Sequence, residues 1–212
     1  MLLIVASTSG RLPIPLTEVL GFITGAACVL LVVVQSIWNF PVGIANFAFF
    51  IVLFWQSRLF GDMALQGVYL ILAIFGWYQW LHGGEHRGRL TVRTTSLGET
   101  FTMVAVGIAL TAVLSTYLRA IHDTAPFLDA LTTTASLIAQ WMLNTKRLEN
   151  WFVWIAADVV YVYLYTVKGL HLTAVLYVIF IAMCVAGLIS WRRSMEQVPA
   201  PGAEIQHVGA TP

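Results

Sequence analysis

Charge is what this chain has least of: 10% of its 212 residues are Asp, Glu, Lys or Arg, where a soluble domain carries about 25%. A water-facing surface built from so few charges would be largely apolar, and soluble monomers rarely expose large apolar patches. With 59% hydrophobic residues and a mean hydropathy of +0.83, the chain reads as an integral membrane protein, and a soluble globular enzyme is excluded. A basic face is also missing. The formal charge is +1, which leaves no polybasic surface for nucleic acid. Only two cysteines are present, Cys28 and Cys184. Both lie inside apolar runs and read as small core residues rather than as a disulfide or metal pair. No Gly-Xaa-Ser-Xaa-Gly elbow, phosphate loop or zinc-protease motif occurs. His82 and His86 stand in a Gly-broken loop that gives them no helical metal geometry. Nothing here signals an enzyme, a metal or a cofactor. Spans of about 20 residues each leave no room for a nucleotide-binding domain, so primary active transport by this chain alone is not expected.

What is present is a series of apolar runs bounded by charge, Gly or Pro. They mark seven helical spans at about 16–37, 40–57, 62–81, 97–118, 125–143, 150–167 and 170–190. The cuts at Trp38-Asn39-Phe40-Pro41 and at Lys168-Gly169-Leu170 leave almost no loop. A continuous helix would be too long for one crossing, so tight turns are expected there. Residues 1–15 read as a short extracytoplasmic segment. Residues 1–9 are too short an apolar stretch for a secretory signal and lack a basic leader, while Pro13 and Pro15 suit an extended approach to the first helix. Lys and Arg set the orientation. Arg87, Arg89, Arg93, Lys146, Arg147, Arg192 and Arg193 fall on one side, and Arg11, Arg58, Arg119 and Lys168 on the other. The larger group marks the cytoplasm, placing the N-terminus outside and the C-terminus inside. Residues 194–212 read as a disordered cytoplasmic tail.

Shifting the chain by 111 residues lays the first three spans on the last three without a gap. Asn39 then falls on Asn150, Ile44-Ala45 on Ile155-Ala156, Gly76 and Trp80 on Gly187 and Trp191, and Glu18 on Asp129. Overall identity is low; the signal is that scarce residues land at equivalent places in equivalent spans. The shift covers an even number of spans, so the two copies point the same way. The expected fold is therefore all-α, a 3+1+3 plan with a parallel repeat: one bundle over 16–81, an inverting linker helix over 97–118 and a second bundle over 125–191. Parallel repeats about the membrane normal belong to transporters, with the substrate between the halves near mid-membrane.

Polar residues inside spans are costly and mark pathways or packing contacts. In the sixth span Asn150, Trp154 and Asp158 form one helical stripe, bordered by Trp151 and extended by Tyr161 and Tyr165. Two Trp on one face offer flat, polarizable walls to a flat ring, and Asn150 can both donate and accept hydrogen bonds. An interfacial aromatic belt explains Trp151 well and Asp158 poorly, because Asp158 lies about two turns deeper. The fifth span carries Thr133, Ser136, Gln140 and Asn144; the first two read equally well as packing residues, the last two as cavity residues. The second span offers Asn39, Gly43 and Asn46 on one face. The third carries Asp62, Gln66 and Tyr69, with Asp62 as ready to cap its helix as to bind a ligand. Acids deep in the spans are too few for a usual proton relay, so facilitated diffusion is the simpler mechanism, with proton coupling through Asp158 as the lesser alternative.

These residues carry a resemblance. The run Glu149-Asn150-Trp151-Phe152-Val153-Trp154-Ile155 with Asp158, Tyr165, Lys168-Gly169-Leu170, Thr173-Ala174 and Leu176-Tyr177 resembles the PnuC family of bacterial vitamin transporters. So do Asp62, Leu65-Gln66, Tyr69 and Gly76-Trp77-Tyr78-Gln79-Trp80, and Ala139-Gln140-Trp141-Met142-Leu143 with Lys146-Arg147. Together they run from about residue 35 to 193. The resemblance implies a fold like full-length SWEET transporters, a homotrimer, and an uncoupled carrier of the bacterial inner membrane whose substrate a cytoplasmic kinase traps by phosphorylation. Carried over by position, Trp151 and Trp154 would frame the vitamin ring. Asn150, Gln140, Asn144 and Asn46 would supply hydrogen bonds, and Asp158 would sit beside them or hold the sixth helix to a neighbour. Asn39, Gln66, Tyr69 and Tyr161 would stand behind these. Nicotinamide riboside is the substrate expected from the family. Thiamine and riboflavin are the alternatives, since Trp stacking fits each, and cation–π contact suits the two cationic vitamins. From other classes, a sugar carrier would ignore ring cations, a membrane enzyme would use Asp158 or the His82/His86 loop, and an assembly subunit would bind no small molecule.

Overall fold

The computed structural model describes residues 16–197 except 57, 59, 123, 168 and 170, and the side chains of these except 16–22, 62, 172 and 173. Among the described residues seven α-helices follow in order: α1 (Leu16–Val33), α2 (Asn39–Gln56), α3 (Phe60–His82), α4 (Leu97–Ala120), α5 (Pro126–Asn144), α6 (Asn150–Val167) and α7 (His171–Glu196). Each expected span holds one of them. Five are long and apolar enough to cross a membrane: α2, α4, α6, Met63–His82 of α3 and Ala174–Glu196 of α7. Of α1, Ile23–Val33 qualifies as a shorter apolar helix. α5 is less apolar because Thr132, Thr134, Ser136 and Asn144 sit on it, and all four are buried against protein; Asn144 bonds across to α3 and Thr132 to its own helix, which spares those groups from hydrocarbon.

The chain turns sooner after α1 than expected, at Val33 rather than 37. Gln35 takes a left-handed backbone (φ 53), its N–H bonds to Val32 O at 2.9 Å, and Ser36 N–H bonds to Leu31 O at 2.8 Å. This paired closure satisfies the last carbonyls of a helix. α5 ends the same way: Lys146 has φ 50, its N–H bonds to Leu143 O at 3.0 Å, and Arg147 N–H bonds to Met142 O at 2.8 Å. The short cut at 168–170 centres on Gly169, left-handed at φ 73. α7 runs past the expected 190 to Glu196, its last turn carrying an Arg192–Glu196 ion pair at 3.2 Å. Ser194 is thus helical rather than the start of a tail. The expected segments 1–15 and 198–212 lie outside the described residues.

α2 packs between α1 and α3, α6 between α5 and α7, and two seams join these groups: α1 on α7 and α3 on α5. Six helices thereby close a ring, and α4 lies outside it against α5. α4 begins at a capping box, Ser96 with Glu99, and exposes Leu97, Phe101, Val104, Ile108 and Tyr117, as a lipid-facing helix would. A strap holds its start to the α5–α6 turn: Arg93 N–H bonds to Lys146 O and Leu148 N–H to Arg93 O, both at 3.0 Å. Arg147 pairs with Glu99 and donates to Thr94 O at 3.0 Å.

The contacts at and beside the seams come in pairs offset by the same 111 residues that separate Gln35 from Lys146. Trp191 Nε1 donates to Val32 O at 2.9 Å, and Trp80 Nε1 to Leu143 O at 3.2 Å. Phe40 meets Trp80 edge-on with ring centroids 5.1 Å apart, and Trp151 meets Trp191 edge-on at 5.4 Å. Asn39 Nδ2 donates to Ser36 O at 2.7 Å, and Asn150 Nδ2 to Arg147 O at 2.5 Å. Trp80 and Trp191 themselves touch at 5.9 Å. Glycine is needed beneath each arrangement: a Cβ on Gly76 would run into Asn144 and Phe40, and one on Gly187 into the Trp151 indole.

Candidate functional site

Inside the ring lies a cavity of about 360 Å³ to which all six ring helices contribute and α4 none. That is within the range of small-molecule pockets, about 300–1,000 Å³. At the end nearest the 34–38 and 145–149 turns it is packed shut by aromatic rings: Trp80 is 3% exposed, Phe40 1%, Trp151 1% and Trp191 0%. Val32 and Leu143, whose carbonyls hold the two Trp N–H groups, line the cavity just inside this closure.

Five of the seven expected binding residues line it: Trp151, Trp154, Gln140, Asn46 and Asp158. Asn46 Nδ2 donates to Thr24 Oγ1 at 2.5 Å, which leaves its carbonyl oxygen and its second N–H for a ligand. Gln140 Nε2 donates to Asn144 Oδ1 at 3.1 Å, which again leaves a carbonyl oxygen and one N–H. Among the described residues Asp158 receives one long thiol contact, Cys184 Sγ to Oδ2 at 3.8 Å. Three acceptors, the Asn46 and Gln140 carbonyls and the Asp158 carboxylate, therefore stand in the lining.

Asn144 and Asn150 stand outside the lining, and both are fully buried. Asn144 Nδ2 donates to Leu72 O of α3 at 2.7 Å, bridging a seam while orienting Gln140. Asn150 closes the turn before α6, and its Oδ1 is buried with no hydrogen-bond partner among the described residues, as is Trp151 Nε1. Of the residues expected behind the site, Asn39 and Tyr161 line the cavity. Tyr69 stacks on the lining residue Phe47 with centroids 5.7 Å apart. Gln66 is away from the lining, with a buried Oε1 that has no hydrogen-bond partner among the described residues. Asp62 is outside the side chains described.

The structure adds lining residues that the sequence reading did not single out as binding residues: Phe40, Phe47, Ala73, Tyr177 and both cysteines. Cys28 and Cys184 are free thiols on the cavity wall, not plain core. The missed signal was the repeat itself. Phe40, Phe47 and Ala73 stand 111 residues before Trp151, Asp158 and Cys184, so applying the shift to the candidate residues would have found them. Gly25, Val29 and Gly43 bear the same relation to Ser136, Gln140 and Trp154. The chemistry across these pairs is unequal. The first half supplies glycine and apolar surface; the second supplies hydroxyl, amide, carboxylate and indole. Asn39 and Asn46 are the amides that the first half adds to this otherwise apolar wall, so a ligand here meets more polar chemistry on one side than on the other.

A family model described as nicotinamide mononucleotide transporter matches residues 15–193. The nicotinamide riboside transporter PnuC of Escherichia coli (strain K12) is 22% identical over 206 residues, which cover 85% of this chain and 86% of that protein. The riboflavin/roseoflavin transporter RibM of Streptomyces davaonensis is 28% identical over 181 residues, covering 82% of this chain and 84% of that protein. The crystal structure of the vitamin B3 transporter PnuC superposes with a TM-score of 0.63 at 22% identity, covering 83% of this chain and 80% of that one. The fold is shared with that structure, and a match running almost from the start of α1 to the last turn of α7 settles the family. The chain belongs to the nicotinamide mononucleotide transporter family, the PnuC family of membrane vitamin transporters.

Proposed function

We propose that this multi-pass inner-membrane protein carries nicotinamide riboside by facilitated diffusion, and that a cytoplasmic kinase traps the substrate by phosphorylation. The observation that carries the reading is the unequal cavity within the ring. Its acceptors, Gln140, Asn46 and Asp158, suit a ligand rich in donors and positively charged: ribose hydroxyls, a carboxamide NH₂ and a pyridinium ring. Trp154, Trp151, Phe40 and Phe47 all line the cavity, and their rings are surfaces from which a flat cation gains cation–π attraction. Asn144 acts at one remove by fixing the Gln140 amide, and Asn150 by holding the turn on which Trp151 sits.

In this reading the ring is two parallel three-helix bundles, α4 is the inverting linker of a SWEET-like 3+1+3 plan, and the N-terminus is outside. The aromatic closure then faces the cytoplasm. Release there requires Trp80 and Trp191 to part from Leu143 and Val32, and entry requires the opposite end to open. In this reading the motion is not coupled to a second ion. A homotrimer is part of the same reading.

Riboflavin is the second reading, favoured by the RibM likeness at 28% identity. The test is calorimetry of purified protein with nicotinamide riboside, thiamine and riboflavin, with Trp154→Ala alongside. Nicotinamide riboside is expected to bind and the variant to lose it. Tight riboflavin binding in its place reassigns the substrate. Binding of none overturns the carrier reading in favour of an assembly subunit.

A further inference from the structure

A second cavity, about 420 Å³, opens at the end where the turns meet, beyond the aromatic closure. Its polar lining is Gln35 and Ser36 of the α1–α2 turn, Arg89 and Thr91 of the segment after α3, Lys146 of the α5–α6 turn, and Ser194 of α7. Lys146 is 8% exposed. Its Nζ donates to Gln35 Oε1 at 3.1 Å and lies 4.4 Å from the Trp80 ring centroid. Arg89 faces the same space, and among the described residues no carboxylate lines it. The nearby acids are committed elsewhere: Glu99 to Arg147, and Glu149 to the N–H and hydroxyl of Thr95 at 3.0 and 2.7 Å. Among the described residues no ion pair involves Lys146 or Arg89.

A buried ammonium with an amide oxygen and a ring face for company is under-compensated, because removal from water costs more than one neutral hydrogen bond returns. Burial and the nearby Arg89 push the Lys146 pKa down to about 8, the expected strain of two cations sharing a pocket without an anion. A neutral anchor would have served for packing alone. At the equivalent position of the first half the chain uses one, Gln35, in the same left-handed turn.

We propose that this pocket binds a phosphate group, held by Lys146 and Arg89 with Ser36, Thr91 and Ser194 as hydroxyl donors. Two cations and three hydroxyls around a concave space match a phosphomonoester, which accepts many hydrogen bonds and carries up to two negative charges. The source is a soluble phosphoester or the headgroup of an anionic lipid. The binding site rests on the geometry alone; its consequence rests on the carrier reading. An occupant would tie together both turns and α7, the elements that must separate for the aromatic closure to open, so it would slow release on that face.

The test uses the purified full-length protein at fixed ionic strength, titrated calorimetrically with inorganic phosphate, ribose 5-phosphate and short-chain phosphatidic acid. Saturable binding is expected, about tenfold or more weakened by Lys146→Gln and by Arg89→Gln. Arg89 is exposed, so its variant keeps the fold if Lys146→Gln does not. Saturation by ribose 5-phosphate names a soluble phosphoester as the source, and saturation by phosphatidic acid alone names a headgroup. The Trp154→Ala protein, disabled at the central cavity, is expected to bind phosphate as before. No saturable response to any of the three, or a response untouched in both variants, overturns the proposal. Phosphate binding without any vitamin binding would instead overturn the carrier reading and leave this site standing.

Discussion

Replacing Trp191 by Phe tests whether the two seams are the mechanical closure. The indole N–H donates to Val32 O at 2.9 Å, a carbonyl that also receives the Gln35 N–H. The carbonyl is therefore not orphaned in the variant, and losing one of its two bonds costs about 1 kcal/mol. The ring it replaces is fully buried, so the smaller phenyl adds about 1–2 kcal/mol of lost packing. The sum, about 2–3 kcal/mol, corresponds to about 4–12 °C in melting temperature for a chain of this size. The effect should also be local. If the Gln35 and Lys146 amides exchange by opening of this seam, 2 kcal/mol accelerates them about thirtyfold, while amides of α4, outside the ring, stay unchanged. Trp80→Phe should behave alike, since its 3.2 Å bond to Leu143 O is shared in the same way with the Lys146 N–H. Thermal melts and hydrogen exchange on both variants measure this. The reasoning is refuted if one Trp is silent while the other unfolds the protein, or if the exchange change spreads evenly over all helices.

Three further outcomes follow from the site and its supports. Asp158→Asn keeps the side-chain size and removes the cavity's carboxylate; nicotinamide riboside and thiamine should each weaken about tenfold, or about 1.4 kcal/mol, with riboflavin nearly unchanged. Equal loss for all three would remove charge from the recognition. Gly187→Ala drives a methyl into the Trp151 indole, costing about 1–3 kcal/mol by overpacking and lowering vitamin affinity, whereas Gly67→Ala, with open space around it, should do neither. The pKa of Lys146 is lowered from 10.5 to about 8 by burial and Arg89, so the unfolded chain holds that proton more tightly. Without added phosphate, the stability of the native protein relative to Lys146→Gln should rise as pH climbs from about 8 to about 10; a flat or falling difference in melting temperature refutes the assignment.

The number and placement of the helices were legible because bilayer thickness fixes the length of an apolar run and because charge, Gly or Pro bounds each one. Ends were less so. Whether α1 stops at 33 or 37 depends on Gln35 adopting a left-handed backbone, which no residue preference announces, since Gly is the usual choice there. The lining of the candidate cavity was legible mainly in its second half, where Trp, Gln and Asp are conspicuous against an apolar background. Phe40, Phe47, Gly25 and Val29 were not, because nothing distinguishes a ligand-facing Phe from a lipid-facing one in composition. Asn150 and Asn144 show the converse limit: a deep amide needs partners, but the pattern does not say whether those partners are a ligand or a backbone carbonyl, and here Arg147 O and Leu72 O take them.

The 111-residue offset resolves this ambiguity in a way that single residues cannot. Where both members of a pair are kept alike, as Trp80 with Trp191 or Asn39 with Asn150, both make the same structural bond, so the likeness reports a shared task in holding the ring. Where members diverge, as Phe47 with Asp158 or Val29 with Gln140, both line the cavity but only one offers polar chemistry. A symmetric ligand would ask for the same groups from both halves. A vitamin with an aromatic end and a polar end does not, and divergence at cavity positions is what its binding would leave behind. Gln35 and Lys146 obey the same logic outside the cavity. They share one backbone conformation and one contact, yet differ by a full charge that no seam requires. That difference is the reason to look there for a second, anionic ligand rather than for another packing contact.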